Sequence, residues 1–402
     1  MKILHVIGGS FEDGAFKGAS ILHKNLKELG VESKILNNRL KNKDDINNEI
    51  LKDTIFIHDS FLQKFFGFVT LAFEKFLKFI FLPSPRSTFT ISIFGSDITK
   101  LKIYKESDII HIHWLDQNFI KISSLSKIKK PIVWTMRDMW PFTGGSHYTM
   151  DFEKYEKSLL SKIIKNFKKK NYPKHINFIA ISNWLQSEAK KSFVLNNFDV
   201  KKIYNNIDLR DFNLLSKVEA RSKIKISTSK KIILYGAQNP QSQRKGWDIL
   251  KRALRKLDKS KYFFLIFGNF WSKKDLDKIG IEYKSLGFVD DKKKLNQIYC
   301  SSDVFVFPSL QEAFGKTWAE AVTCGIPVVC FKETCPSEII EHKVDGFIIN
   351  QINSDKLKDG IEWISNNWTN DREEKARNKK KFVFESKKIA SQYLEIYKKI
   401  LN

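Results

Sequence analysis

Short runs of Ile, Val, Leu and Phe alternate with helical apolar patterns along the 402 residues, and the plan is laid out twice. In the first half "KILHVI" (Lys2–Ile7) reads as a buried strand. "SILHKNLKELG" (Ser20–Gly30) puts Ile21, Leu22, Leu26 and Leu29 on one helical face and stops at Gly30, and "VESKIL" follows as a strand. "DIIHIHW" (Asp108–Trp114), "PIVWTM" (Pro131–Met136) and "NFIAIS" (Asn177–Ser182) are further strands. The second half repeats the alternation with "KKIILYGA" (Lys230–Ala237), the helix "GWDILKRALRKL" (Gly246–Leu257), "YFFLIFGN" (Tyr262–Asn269), "DVFVFPS" (Asp303–Ser309) and "IPVVCF" (Ile326–Phe331). Such alternation calls for a parallel sheet covered by helices. The expectation is an α/β chain of two doubly wound Rossmann-like domains facing across a cleft, with ligands at the carboxyl ends of the strands. The polar, basic run Asp211–Lys230 separates the halves as a linker. The domains are placed at 1–210 and 211–385, with 386–402 as a closing amphipathic helix packing back on the N-terminal domain.

Hydrophobic residues make up 42% of the chain and charged residues 29%, which is a globular composition. The start, "MKILHVIGGS", has too short an apolar run for a signal peptide and reads as a first strand. No stretch offers about 18 uncharged apolar residues, so no spanning helix is expected. Cys300, Cys324, Cys330 and Cys335 form no CxxC pair and suit buried thiols in a reducing compartment. These readings give a cytoplasmic protein, either soluble or peripheral on the inner face of the plasma membrane. The net charge of +25 fits attraction to an anionic partner such as membrane lipid or a phosphorylated substrate. It equally fits a coding bias toward Lys, Asn, Ile and Phe. No nucleic-acid motif accompanies the charge, and no nucleic-acid partner is expected.

One segment departs from the plan. In "FLQKFFGFVTLAFEKFLKFIFL" (Phe61–Leu82), Gln63, Gly67, Thr70, Glu74 and Lys78 form a thin polar stripe bordered by Lys64 and Lys75, and nearly everything else is apolar. Two readings stand: a helix lying in a lipid interface, or a helix buried against the sheet.

The stretch "SLQEAFGKTWAEA" (Ser309–Ala321) holds Glu312 and Glu320. On one continuous helix their Cα atoms would be roughly 12 Å apart along the axis. A retaining glycosidase pair brings its carboxyl groups to about 5–5.5 Å. An acid/base pair is therefore a poor fit. Pro308-Ser309 ends a strand and Gly315 breaks the pattern, so Glu312 belongs to a loop and the helix starts near Lys316. The N–H groups of Phe314, Gly315 and Lys316 then make a helix-end anion site. Carboxylates on either side of an anion suit a nucleotide sugar, with hydroxyl groups flanking a diphosphate.

"PSLQEAFGKTWAEAVTCGIPVV" resembles the E-x7-E region of family-4 retaining glycosyltransferases of the GT-B fold. The resemblance implies that Glu312 holds the transferred sugar and Glu320 the ribose. In "YGAQNPQSQRKGWDIL" (Tyr235–Leu250), Arg244-Lys245-Gly246 opens a helix after a glycine turn at Gly236, offering fixed cations to a leaving diphosphate. The family commonly has a Gly-Arg pair after this strand; here Ala237 stands at the arginine, and Arg244 is expected to substitute. Gly287, in "LGFVDDKKKLNQIYCSSDVFVFPS", falls in another segment similar to the family and joins the expected donor-binding residues.

"KPIVWTMRDMWPFTGGSHYT" (Lys130–Thr149) resembles a subgroup acting in bacterial surface polysaccharide assembly of the colanic-acid and O-antigen type, through "DMWPFTGG". The departure is Arg137 where that subgroup has histidine near the donor sugar. Arginine cannot serve as a base at neutral pH, which leaves contact with a hydroxyl, a carboxylate or the diphosphate, or pairing with Asp138 or another acid. His113 and His147 are expected to face the same cleft. The first loop, "IGGSFEDGAFKGAS" (Ile7–Ser20), lacks the nicotinamide fingerprint GxGxxG. Gly14 and Gly18 there would admit a diphosphate and acceptor. No carboxylate or histidine cluster with metal-ligand spacing is apparent, so no metal or cofactor is expected. The resemblance thus implies a retaining transfer from a nucleotide-diphosphate sugar to a glycan or lipid-linked acceptor; membrane-surface contact through 61–82 is the separate expectation of the lipid-interface reading of that segment. The alternatives are a nucleotide-sugar epimerase or hydrolase of the same fold, and a non-catalytic sugar-nucleotide or lipid-binding scaffold.

Overall fold

A computed structural model describes residues 1–11, 13–38, 48–57, 61–81, 88–115, 119–208, 210, 212–270, 272–369 and 383–402. The chain divides into two units. Unit 1 comprises Met1–Asn206 and Ser386–Asn402, and unit 2 comprises Ile207–Glu385. Each is built on an all-parallel sheet, so the α/β, Rossmann-like class expected from the alternation is the one the chain adopts.

In unit 1 the strands are β1 (Lys2–Val6), β2 (Glu32–Asn37), β3 (Thr54–Phe56), β4 (Ile109–Ile112), β5 (Ile132–Met136), β6 (Ile176–Ala180) and β7 (Val200–Lys202), ordered β3-β2-β1-β4-β5-β6-β7. The order reverses between β1 and β4, and it is at such a switch point that open α/β sheets accept ligands. In register, His5 pairs with His111 and His111 with Val133. One sheet face buries Ile3, Ile109 and Val133 under the helix Gly14–Glu28, through Leu22 and Leu26, and under the helix Ser386–Leu401, through Ile389, Tyr393 and Tyr397.

In unit 2 the strands are β8 (Lys231–Gly236), β9 (Tyr262–Phe267), β10 (Tyr283–Ser285), β11 (Val304–Phe307), β12 (Val328–Phe331) and β13 (Gly346–Ile349), ordered β10-β9-β8-β11-β12-β13. The helix Trp247–Arg255 sets Trp247, Leu250 and Leu254 in a core with Phe264, Val306 and Ile361. The run read as a linker is partly ordered within unit 2. Lys217–Lys223 is a helix capped by Ser216, and Arg221 and Lys217 reach Asp303 at 2.7 and 3.0 Å. Those ion pairs anchor a stretch whose polarity alone suggested a spacer; Asp211 lies outside the described residues.

The helix Phe61–Phe81 belongs to unit 1 and is turned opposite to an ordinary surface helix. Glu74, from the polar stripe, is 4% exposed and accepts a hydrogen bond from the Ile91 N–H at 2.8 Å. Leu77 is buried beside it against Phe89, Ile91 and Tyr155. Phe65, Phe68, Val69, Leu71, Phe73, Phe76, Phe79 and Ile80 face outward, with Phe68 71% and Phe79 88% exposed. Full burial of this helix against the sheet is therefore not what the chain does. Leu82, the side chains of Gln63, Lys64, Thr70 and Lys78, and the surroundings of Gly67 lie outside what is described. Among the described residues no helix is long and apolar enough to cross a membrane.

Candidate active site

Backbone close approach builds the unit 2 constellation. β8 ends at Gly236, where a Cβ would fall 2.0 Å from the Phe267 ring. Past the short turn Gln243–Lys245, Gly246 adopts φ 71°, and a Cβ there would come within 1.8 Å of the Pro308 carbonyl oxygen. Only glycine allows this turn to press on the end of β11. The contact is fixed by the Leu310 N–H donating to the Arg244 carbonyl at 2.7 Å.

The result is that both basic side chains meet one carboxylate. Arg244 Nη1 is 3.2 Å from Glu312 Oε2, and Lys245 Nζ donates to the same oxygen. Glu312 is buried, at 8% exposure. The corner thus sets two cations on one buried carboxylate, groups that can exchange that partner for an incoming anion.

Glu312 sits in the loop, and the helix Lys316–Thr323 begins behind Gly315, whose φ is 76°. The Phe314 ring is core, packed on Trp318 and Phe384 at 5.6 and 5.7 Å between centroids, so only its backbone is left for a ligand. Glu320, half-buried, is held by the Tyr299 hydroxyl, which donates to Oε2 at 2.8 Å. Burial and the neighbouring Glu320 keep the Tyr299 phenol well above its usual pKa. Tyr299 had no signal of its own in the sequence, since its partner lies 21 positions away. Gly287 has φ 67° with nothing within 4 Å of a Cβ, and its carbonyl accepts from the Gly268 N–H at 2.7 Å.

In unit 1 the expected residues separate into two networks. His147 Nδ1 lies 2.6 Å from Asp138 Oδ2, and Trp114 Nε1 donates to the same oxygen at 2.7 Å. The other Asp138 oxygen accepts the Trp140 N–H at 2.9 Å. Buried Lys168 donates to the Trp140 carbonyl and lies over the indole ring at 3.7 Å. Burial holds its amine well below the usual lysine pKa. "DMWPFTGG" therefore makes a buried knot in which His147 is a structural partner of Asp138.

The second network contains His113 and Arg137 and brings in residues the sequence reading did not select. His113 Nε2 is 2.8 Å from His5 Nδ1, and Arg137 Nη2 donates to His113 Nδ1 at 3.2 Å. Arg137 Nη1 donates to Asn205 Oδ1 at 2.5 Å. His111 is held by the Tyr397 hydroxyl at 2.5 Å and Thr135 at 2.8 Å. Gly18 accommodates Arg137, because a Cβ there would sit 2.6 Å from Nη1, whereas one at Gly14 would meet nothing within 4 Å. Burial pushes His5, His111 and His113 well below the ordinary imidazole pKa, so all three are neutral near pH 7. The signal for the pair His111/His113 was the period-two "HIH" on a strand.

His5, His111 and His113 each offer a nitrogen within 4.8 Å of the others, the spacing of a metal-ligand group that spacing along the sequence did not suggest. Their hydrogen bonding fits that role poorly. Arginine can only donate, so His113 Nδ1 accepts and its Nε2 carries the proton donated to His5. Both His111 nitrogens are engaged as well, and a cation would face the Arg137 guanidinium.

Residues 216–382 match the family model described as "Glycosyl transferases group 1". The second unit is a group 1 glycosyltransferase domain, and the chain is a glycosyltransferase. An uncharacterized 41.2 kDa protein in the cps region of Klebsiella pneumoniae is 23% identical over 330 residues, covering 80% of this chain and 87% of its own. An uncharacterized glycosyltransferase of Methanocaldococcus jannaschii is 28% identical over 305 residues, covering 72% and 75%. Among solved structures, Anabaena HepE in complex with UDP-glucose superposes with a TM-score of 0.69 at 16% identity, over 99% of this chain and 100% of that one. At that identity the likeness speaks of fold.

Proposed function

We propose that this glycosyltransferase moves a sugar, with retention of anomeric configuration, from a nucleotide-diphosphate donor to a glycan or lipid-linked glycan in bacterial surface polysaccharide synthesis. The observation that carries the reading is the convergence of Arg244 and Lys245 on Glu312 at the entrance of the helix Lys316–Thr323. In the free enzyme the carboxylate occupies the cations. Donor binding would exchange partners: the diphosphate takes Arg244 and Lys245, and Glu312 turns to the hydroxyls of the transferred sugar. As the glycosidic bond breaks, charge develops on the departing diphosphate, where fixed cations and backbone N–H groups stabilise it most. These groups supply the charge that a metal ion would otherwise bring, and transfer is expected to be metal-independent. Glu320, steadied by Tyr299, would take the ribose hydroxyls. UDP-glucose in the HepE structure and the cps-region setting of the Klebsiella relative support this donor and acceptor class.

Glu312→Ala and Lys245→Ala are each expected to lower transfer by about 100-fold or more while thermal unfolding shows a folded chain. Wild-type turnover in either variant would refute the assigned roles.

The outward phenylalanines of Phe61–Phe81 favour a peripheral seat on the cytoplasmic membrane surface. Eight exposed apolar side chains on one helix exceed what scattered surface residues present, and exposed Lys75 with the +25 net charge complements anionic lipid. Changing Phe65, Phe68 and Phe76 together to Ser is expected to abolish flotation with anionic liposomes. Unchanged flotation would remove this seat.

A further inference from the structure

Arg137 follows β5 on the sheet face that carries His5, His111, His113 and Thr135, since His111 registers with Val133 and alternate residues share a face. It therefore stands at the carboxyl ends of the strands, beside the β1/β4 switch point. What sets it apart is charge. Its two hydrogen-bond acceptors, Asn205 Oδ1 and His113 Nδ1, are both neutral, and the adjacent Asp138 is committed to His147, Trp114 and the Trp140 N–H.

The proton order is fixed from the arginine outward. His113 Nδ1 accepts from Arg137, His113 Nε2–H donates to His5 Nδ1, and the His5 proton is left on Nε2. That Nε2 is buried with no hydrogen-bond partner among the described residues, and so is Arg137 Nε. Every histidine in the group is neutral, and none of them offsets the guanidinium. Two of its five N–H groups are used, and three find no partner among the described residues. A cation kept half-buried, with no counter-charge among the described residues, in a space that Gly18 leaves for it is suited to an anion supplied from outside.

We propose that Arg137 recognises a carboxylate on the sugar substrate, so that the enzyme handles an acidic sugar of the uronate class. The planar guanidinium fork matches a carboxylate, and the position is one where ligands of such sheets bind. This rests on the glycosyl-transfer reading above. The carboxylate sits either on the sugar being transferred or on the terminal sugar of the acceptor, and the experiment has an arm for each.

In the first arm, calorimetry compares UDP-glucuronate with UDP-glucose, UDP-galacturonate with UDP-galactose, and GDP-mannuronate with GDP-mannose. In the second, methyl glucuronide and methyl glucoside are titrated by NMR into the nucleotide-bound enzyme. The wild type is expected to prefer the acidic member by at least about tenfold in one arm, the size of a charge-assisted hydrogen bond. Arg137→Gln should abolish that preference and Arg137→Lys should keep part of it, with amide hydrogen exchange across unit 1 reporting that each variant is folded. Equal affinity for acidic and neutral members in both arms, or a preference that survives in Arg137→Gln, overturns the proposal while leaving glycosyl transfer standing. Failure to bind any nucleotide or nucleotide sugar sinks the glycosyl-transfer reading itself, and this inference with it.

Discussion

In unit 2, Arg244 and Lys245 close on Glu312, and the Tyr299 hydroxyl closes on Glu320. In unit 1, Arg137 is surrounded by an asparagine and neutral histidines. The first arrangement is satisfied at rest and must open to admit a ligand. The second is incomplete at rest, and a ligand completes it. Charges of the same kind, set at the carboxyl ends of similar sheets, thus do different work according to whether the fold supplies the counter-ion.

Acid should separate the two units most strongly. His5, His111 and His113 are held well below the usual imidazole pKa, and His23, buried beside Ser33 and Asp53, is lowered from 6.5 to about 4. A group depressed in the folded state takes its proton first in the unfolded chain. The stabilisation is therefore complete above about pH 6.5 and drains away as pH falls toward 4 and below. Four such groups give a slope of at most about 5 kcal/mol per pH unit. Asp53, lowered to about 2 by Lys27 and Lys34 against the effect of burial, adds a further loss only below about pH 4. Unit 2 carries a single histidine, His342. Hydrogen exchange between pH 7 and 4.5 is expected to show unit 1 opening first; simultaneous opening would break the contrast.

A smaller effect is expected from Gly18→Ala. The new methyl would lie 2.6 Å from Arg137 Nη1, so the flexible end of the arginine must give way. About 1–3 kcal/mol of stability should be lost, together with the acid-sugar preference, both read from melting and the calorimetry above. Smaller still, Tyr299→Phe removes one hydrogen bond from Glu320 and is expected to weaken donor binding by roughly fivefold, with little change in turnover. A turnover collapse in Tyr299→Phe would mean that Glu320 does more than hold a hydroxyl.

What was legible in the sequence follows the same division between buried and peripheral. The runs "DIIHIHW", "PIVWTM" and "DVFVFPS" announced interior strands, because a strand buried on both faces must be apolar throughout. The strands that escaped were β3, β7, β10 and β13, the edges of both sheets. At three or four residues each, with exposed or half-exposed positions such as Ile55 and Lys201, they carry no such pattern. The start of the helix behind Glu312 was readable from Gly315 and Pro308-Ser309. The partners of Glu320 and of Arg137 were not, because Tyr299 and Asn205 are brought in by tertiary packing. For Phe61–Phe81 the periodicity gave two faces, and it is the Ile91 N–H on Glu74 that shows this residue of the polar stripe turning inward.

The chain leaves unit 1 at Asn206 and returns at Ser386, after the whole of unit 2. Tyr393 and Tyr397, which cover the histidine face and bond to Thr135 and His111, therefore reach unit 1 only after the whole of unit 2 has been synthesised. At synthesis rates of about 5–20 residues per second, roughly 10–40 s separate Asn206 from that covering helix. For that interval the apolar face of Ile3, Ile109 and Val133 has only the helix Gly14–Glu28 to cover it and lacks Ile389, Tyr393 and Tyr397, while unit 2, contiguous in sequence, is free to fold as it emerges. Unit 1 starts to emerge before unit 2 and can be completed only after it.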